Sequence, residues 1–292
     1  MRMILVTGAN GNVGREVAQA LVARGEKVRA AVLDVSDARR APAEVAERVG
    51  FDFEDRDTWP AAFAGVDRLF LMRPPAISDV NRVIRPVIDY AAAHGVGHVV
   101  FLSLLGVERN PLVPHARIEH WLRRSGMAWT MLRCGFFMQN LDTTHRADLV
   151  EHGDLFIPAG RGRTAFIDAR DIGAVAARAL GEPGHAGRAY SLTGSESLTY
   201  GEVAAIMTAE LGRPITYSDP SPLAFARRMR RRGHPWGYVA VMEGIYLTTR
   251  LGLAAAVAPD APALLGRPPL TLRQYVRDYA AAFAPGVRER DE

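Results

Sequence analysis

Met3-Ile4-Leu5-Val6-Thr7-Gly8-Ala9-Asn10-Gly11-Asn12-Val13-Gly14 decides the fold. Its apolar start is short for a helix and suits a buried strand, which Thr7-Gly8 ends abruptly. Over residues 13–24 the spacing becomes helical, with Val13, Val17, Ala20 and Leu21 on one face and Gly25 as a C-terminal stop. Gly8, Gly11 and Gly14 therefore occupy the turn between a first strand and a first helix. The first glycine permits a turn closed to most side chains, the second lets backbone approach a pyrophosphate, and the third lets helix and sheet pack closely. Free N–H groups and the positive end of the helix dipole would face the anion. A bare turn without ligand is the alternative; the strand before the glycines and the amphipathic helix after them favour the phosphate site.

Outward from this turn the alternation repeats. Residues 28–33 read as a second strand, and 44–49 and 58–63 as short helical pieces around Phe51-Asp52-Phe53, where the third strand ends. Residues 68–72 form a strand stopped by Pro74-Pro75, 80–94 a helix, 98–102 a strand, 117–125 a helix and 129–132 a strand. These strands are apolar on both faces, as in a parallel sheet covered by helices. After about residue 140 the pattern weakens. Residues 164–167 and 189–192 read as later strands with a helix at 171–180 between them, 200–211 as a helix, and the last seventy residues as mainly helical. The expected class is α/β, a doubly wound parallel sheet with a small, mainly helical C-terminal lobe. Residues 1–150 are expected to form the nucleotide-binding domain, and 151–292 the remaining strands and a substrate lobe interleaved with it.

Composition bounds the function. The chain has 292 residues, 48% apolar and 23% charged, ordinary for a globular enzyme. No apolar run reaches the ~18–20 residues that span a bilayer. The single cysteine, Cys134, excludes an intramolecular disulfide and, with no export signal, points to the cytoplasm. Cys134 beside an apolar strand reads as a packing residue. The net charge of +4 rests on arginine, Lys27 being the only lysine. The one dense run, Arg227-Arg228-Met229-Arg230-Arg231-Arg232, reads as a solvated helix face, with a nucleic-acid or membrane-surface patch as the alternative. Neither nucleic acid nor membrane is expected as a partner; a small apolar molecule is, and a second copy of the chain is considered. No His-Glu-x-x-His or Cys-x-x-Cys occurs, and Gly95 and Gly97 interrupt the His94/His98 pair, so no metal is expected.

Beyond the glycine turn, Val99-Val100-Phe101-Leu102-Ser103, Trp129-Thr130-Met131-Leu132-Arg133-Cys134-Gly135-Phe136-Phe137-Met138-Gln139-Asn140 and Phe166-Ile167-Asp168-Ala169-Arg170-Asp171-Ile172 resemble the atypical short-chain dehydrogenases of the NmrA-like group. That group includes quinone-reductase-like and azoreductase-like members, and the resemblance covers roughly residues 1–215. It implies a Rossmann domain of about seven parallel strands and a small C-terminal substrate lobe. The family often has proline where Cys134 stands and arginine where Leu33 stands. The cofactor contacts expected are Thr7, Gly8, Asn10, Gly11, Asn12, Val13 and Gly14 in the turn and Leu33, Asp34 and Arg39 after the second strand. Asp52 and Phe53 at the adenine edge, and Met72, Arg73, Pro74 and Ser103 at later strand ends, complete the set. A carboxylate after the second strand favours the ribose 2′-hydroxyl of NAD, an arginine the 2′-phosphate of NADP. Asp34 is followed by Arg39 and Arg40, which leaves both open, with NADP(H) slightly favoured over NAD(H).

The better-known short-chain dehydrogenases use Tyr-x-x-x-Lys with an upstream serine. Here no tyrosine is followed four residues later by lysine. The corresponding helix instead begins Pro114-His115-Ala116-Arg117-Ile118-Glu119, with His115 where many relatives carry lysine or tyrosine. His115 and Glu119 share a helix face, and Ser103 ends the preceding strand. A histidine near a helix N-terminus tends to be neutral and can hydrogen-bond a carbonyl oxygen or relay a proton to it. His115, Ser103 and Glu119 are thus the catalytic candidates; the alternative makes His115 a helix cap and pairs Glu119 with Arg123. Asp171 is expected to cap a helix starting at Ile172. Phe136, Phe137 and Asn140 would floor a substrate pocket or pack the core, and Tyr246, with Trp236 and Tyr238, would wall it. The expected activity is NAD(P)H-dependent reduction of a planar apolar carbonyl acceptor (quinone, enone or aromatic ketone) by hydride transfer. The alternatives are an NAD(P)-sensing regulator without turnover, of the NmrA type, and an NAD(P)-dependent isomerase or epimerase.

Overall fold

The computed structural model describes residues 3–35 and 42–284. In chain order the first elements are β1 (Met3–Thr7), α1 (Asn12–Ala23), β2 (Lys27–Val32), β3 (Glu47–Gly50), α2 (Trp59–Phe63), β4 (Val66–Leu71), α3 (Ile84–Ala93), β5 (His98–Leu104), α4 (Pro114–Arg124) and β6 (Ala128–Cys134). There follow α5 (Arg146–His152), β7 (Asp154–Leu155), β8 (Arg163–Ala165), α6 (Ala169–Gly181), β9 (Arg188–Leu192), β10 (Ser197–Thr199), α7 (Tyr200–Leu211) and β11 (Thr216–Tyr217). The chain ends in α8 (Pro222–Arg231), α9 (Trp236–Arg250), α10 (Asp260–Leu265) and α11 (Leu272–Asp278). Two compact units result: Met1–Cys134 with Ala169–Leu192 and Asp260–Arg267, and Gly135–Asp168 with Thr193–Pro259 and Pro268–Glu292. The chain therefore first leaves the first unit at Cys134, ahead of the expected boundary at 150, and returns to it twice.

The first unit is built on a seven-stranded sheet in the order β3-β2-β1-β4-β5-β6-β9. Every pair in it is parallel, so both faces need helices. Leu5, Leu69, Leu71, Val99, Phe101 and Met131 share one buried cluster with Trp59 and Phe63 of α2, Ile84 and Val87 of α3, and Ile118 and Leu122 of α4. Ile4, Val6, Phe70 and Val100 alternate to the other face, fully buried, where α1 and α6 lie. The strand order reverses between β1 and β4, which places a crevice at their C-terminal ends.

Two expectations are corrected here. Residues 44–49, expected to be helical, contain β3 instead, paired from Arg29↔Glu47 to Val32↔Gly50. Arg29 Nε donates to Glu47 Oε2 at 2.6 Å, and Phe51 continues onto the Val32 carbonyl, so edge pairing overrides helix-forming alanine and glutamate. Asp171 does not cap a helix from Ile172: α6 already begins at Ala169, and Asp171 sits buried in its first turn with Arg267 Nη2 2.7 Å away.

The second unit pairs β8 antiparallel with β10 and β7 parallel with β11. Its helices enclose Leu149, Tyr200, Met207, Phe225, Tyr246 and Tyr275. α7 matches its expected span because both ends are written locally. Thr199 and Glu202 form a reciprocal capping box, and Gly212 closes the helix at φ +64°. No helix among the described residues is long and apolar enough to cross a membrane.

α1 and α6 touch where Gly173 lies on the backbone of Glu16: a Cβ at Gly173 would stand 2.6 Å from the Glu16 carbonyl carbon. Gly173→Ala should therefore force the two helices apart and lower the unfolding free energy by about 1–3 kcal/mol, read in urea titrations. Unchanged stability would show that this contact relaxes freely.

Candidate functional site

The glycine turn forms as the spacing requires. Gly8 adopts φ +63°, the left-handed region open to glycine, and the Gly11 N–H donates to the Gly8 carbonyl at 2.9 Å. A Cβ on Gly14 would collide with that same carbonyl oxygen, and one on Gly8 with the Met72 methyl. The first turn of α1 has Gly11 as N-cap with no side-chain cap and carries no acidic residue. Its N–H groups thus keep their donor capacity at the positive end of the helix, a cradle that a pyrophosphate fits. Thr7 serves the sheet rather than the cradle. Its hydroxyl donates to the Phe70 carbonyl at 3.0 Å and accepts from the Met72 N–H at 2.9 Å, stitching β1 to β4 at the strand-order reversal.

Around this cradle, Asn10 is half-buried, Asn12 exposed and Val13 buried. Leu33 and Asp34 are exposed directly after β2, while Arg39 lies outside the described residues. Asp52 closes a local turn, accepting from the Glu54 N–H at 2.8 Å, and Phe53 is buried in the first unit's core. Met72, Arg73 and Pro74 follow β4, half-buried. The Arg73 guanidinium is held through Nη1 by the carbonyls of Pro74, Pro75 and Ile77, and its Nε has no partner. Burial lowers its pKa.

The three catalytic candidates lie together at the ends of β5 and α4, and their roles separate. Glu119 is only 2% exposed and accepts from Ser103 Oγ at 2.7 Å, Arg123 Nη2 at 2.7 Å, Arg133 Nε at 3.1 Å and Arg133 Nη2 at 2.9 Å. Burial works to raise its pKa; the hydrogen bonds from Arg133 and Ser103, the Arg133 charge and the Arg123 bond outweigh it and hold Glu119 below the ordinary carboxylate value. The Ser103 proton is thus committed to Glu119, and Glu119 is locked as an anion. His115 differs. It is 8% exposed, its Nδ1 has no hydrogen-bond partner, and the α4 N-cap, Val113, has no side-chain cap, so His115 is not the cap. Burial and then the charge of Arg73 press its pKa down to about 3, with Glu119 opposing. The imidazole is neutral at pH 7, with unused hydrogen-bonding capacity. Arg133 is the residue that sequence reasoning missed. A lone arginine inside the apolar run Met131-Leu132-Arg133-Cys134, in register with Ser103, signals a buried partner, because an unpaired charge is not tolerated there.

The second unit holds the remaining candidates. Phe136 and Phe137 are half-buried, and their strand-like backbone pairs with Ile167. Phe136 meets Phe166 edge-on at 5.7 Å, and the half-buried Asn140 donates its N–H to the Phe137 carbonyl. Tyr246 is corrected: it is not a pocket wall but fully enclosed in the unit's core, its hydroxyl 2.6 Å from His145 Nε2. Burial, with Arg232 assisting and Asp148 opposing, lowers the His145 pKa to about 4. Trp236 is exposed, and Tyr238 stacks on His234. Cys134 is buried, which pushes its thiol pKa up.

Comparison with known proteins adds context. Residues 1–249 match the NmrA-like family. The NAD(P)H azoreductase of Xenophilus azovorans is 35% identical over 288 residues, covering 96% of this chain and 99% of that protein. Quinone oxidoreductase 2 of Escherichia coli is 30% identical over 279 residues, covering 94% and 97%. The crystal structure of an NADPH-dependent quinone oxidoreductase from Escherichia coli, complexed with NADPH, superposes with a TM-score of 0.84 at 29% identity, covering 94% of this chain and 99% of that one.

The buried histidines make acid stability a probe of this geometry. Below the ordinary histidine value near 6.5 the unfolded chain binds a proton at His115 that the native chain refuses until about pH 3. Stability therefore falls with pH across that window. Between pH 6.5 and 5 the His115→Gln variant should lose about 2 kcal/mol less unfolding free energy than the wild type. Parallel curves for the two proteins would mean that His115 is accessible and protonates in the native state.

Proposed function

This chain belongs to the NmrA-like family, and on that footing we propose that it is an NADPH-dependent reductase of a planar, apolar carbonyl acceptor such as a quinone, enone or aromatic ketone. The observation that carries this is the glycine cradle, where Gly14 lies on the Gly8 carbonyl and the uncapped first turn of α1 faces outward. Gly8, Gly11 and Gly14 would hold the pyrophosphate, with Asn10, Asn12 and Val13 alongside. Asp34 and Arg39 remain the candidates for the ribose 2′ position, Asp52 for the adenine edge, and Met72 to Pro74 for the inner end of the cofactor. When bound, the nicotinamide supplies a hydride to the acceptor.

The protein's own part follows from His115 and Glu119. A neutral imidazole can donate a hydrogen bond to a carbonyl oxygen that gains negative charge, without first losing a proton to solvent. Electron-poor acceptors need no stronger acid, which suits a site without the Tyr-Lys pair. Glu119 acts through position: pinned by Ser103 and Arg133, it fixes α4 and so the ring of His115 one turn earlier. In this scheme the first unit is the cofactor-binding domain and the second the substrate lobe, with Phe136, Phe137 and Asn140 as candidates for touching the acceptor.

The purified protein should oxidise NADPH in the presence of a quinone and enone panel, and bind NADPH at least tenfold more tightly than NADH, about 1.4 kcal/mol. Tight binding with no consumption across the panel would sink the reductase in favour of a cofactor sensor. His115→Ala should lower kcat by about 10- to 100-fold while leaving the NADPH dissociation constant within about twofold. An unchanged kcat would reduce His115 to a packing residue.

A further inference from the structure

The outer surface of α9 reverses the usual pattern of a surface helix. Such helices turn polar residues to water. Here Trp236, Ala240, Val241, Gly244, Ile245 and Leu247 are all exposed, Trp236 by 64%, and no exposed residue of α9 before its terminal Arg250 is charged. The inner side, with Val239, Met242 and Tyr246, is mainly apolar as well, so α9 is apolar on two sides, interrupted by the half-buried Glu243, the exposed Thr248 and the buried Thr249, and covered on one side only. Past the helix, Leu251, Leu253 and Val257 are exposed as well. Of the twelve exposed large apolar side chains among the described residues, eight fall between Leu223 and Val257. Single exposed apolar residues are ordinary; a contiguous patch marks a surface that something covers.

The surrounding charge identifies what covers it. Residues 221–259 contain six arginines and one acid, Glu243. Arg228 and Arg232 are held by the buried Asp148, at 2.7 and 2.8 Å, and Arg250 pairs with Asp219 at 3.5 Å, which leaves the exposed Arg227, Arg230 and Arg231 at the end of α8. The rim adjoins the patch directly: the Arg230 guanidinium lies 5.2 Å from the Trp236 ring centre. A second copy docked by a two-fold axis would bring two such cationic rims together. A layer of anionic headgroups neutralises the rim while its acyl boundary takes up the apolar face, and a tryptophan beside an arginine suits that boundary. We propose that α8 and α9 form a peripheral docking surface for an anionic lipid bilayer, with α9 lying in the plane of the interface. This surface adsorption needs no spanning helix, and it would give the exposed arginines of the run a partner besides water. It stands independently of the reductase assignment.

The test is co-sedimentation of the full chain with sucrose-loaded phosphatidylcholine vesicles, with and without phosphatidylglycerol. Binding is expected only with phosphatidylglycerol and is lost between about 0.05 and about 0.5 M salt. The triple variant Arg227→Glu, Arg230→Glu, Arg231→Glu should lower partitioning by at least about 100-fold. Val241→Glu should abolish it with the arginines intact, separating apolar docking from simple charge attraction. All these positions are exposed, so both variants should stay folded, checked by circular dichroism. No sedimentation with phosphatidylglycerol vesicles would overturn the proposal, as would undiminished binding of Val241→Glu. So would a vesicle-free dimer in sedimentation velocity that Val241→Glu dissolves, since a second copy would then be the occupant.

Discussion

Everything at the glycine-turn end of the first unit depends on the missing methyl group at Gly14. With no Cβ there, α1 starts directly on the Gly8 carbonyl, and its first N–H groups come to lie over the crevice where the strand order reverses. A side chain at that position would lift the helix off β1 and turn those donors away. The same device recurs on the far side of α1, where Gly173 lets α6 rest on the backbone of Glu16. The first helix is thus held between two backbone contacts, and Thr7 secures the strand beneath it by bonding β1 to β4. The open donors of the first turn and the packing of the helix are here one steric requirement.

Past the end of β5 the governing constraint is charge. Four hydrogen bonds converge on a carboxylate that water barely reaches, and their sum exceeds the penalty of burying it. The network takes Ser103 and Glu119 out of proton chemistry and gives them to the alignment of α4. What remains open is the imidazole of His115, kept uncharged by its enclosure and by Arg73. A cation drawn from β6, Arg133, thus lies against α4, tied to Glu119.

How much of this could be seen in the sequence varied with how local the cause was. β1, the glycine turn and α7 were legible because their signals are short-range: an apolar run cut by glycine, and a Thr199–Glu202 capping box closed by Gly212. Residues 44–49 were misread because Ala46-Glu47-Arg48 has helix-forming composition, and only the neighbouring edge of β2 makes it a strand. The identity of Asp171's partner, Arg267, lies 96 positions away and leaves no local trace. Tyr246 escaped because α9 is apolar on both sides, so periodicity could not say which side faces inward. The hub at Glu119 was half legible: its pairing with Arg123 follows from helical spacing, whereas Arg133 required the β5–β6 register.

The burial of Cys134 has a chemical corollary. Quinones and enones are electrophiles, and the protein group that adds to them most readily is a thiolate. The one thiol of this chain is enclosed at the end of β6 and held in its protonated form. If the chain reduces such acceptors as proposed, keeping its only sulfhydryl out of reach shields it from covalent modification by them.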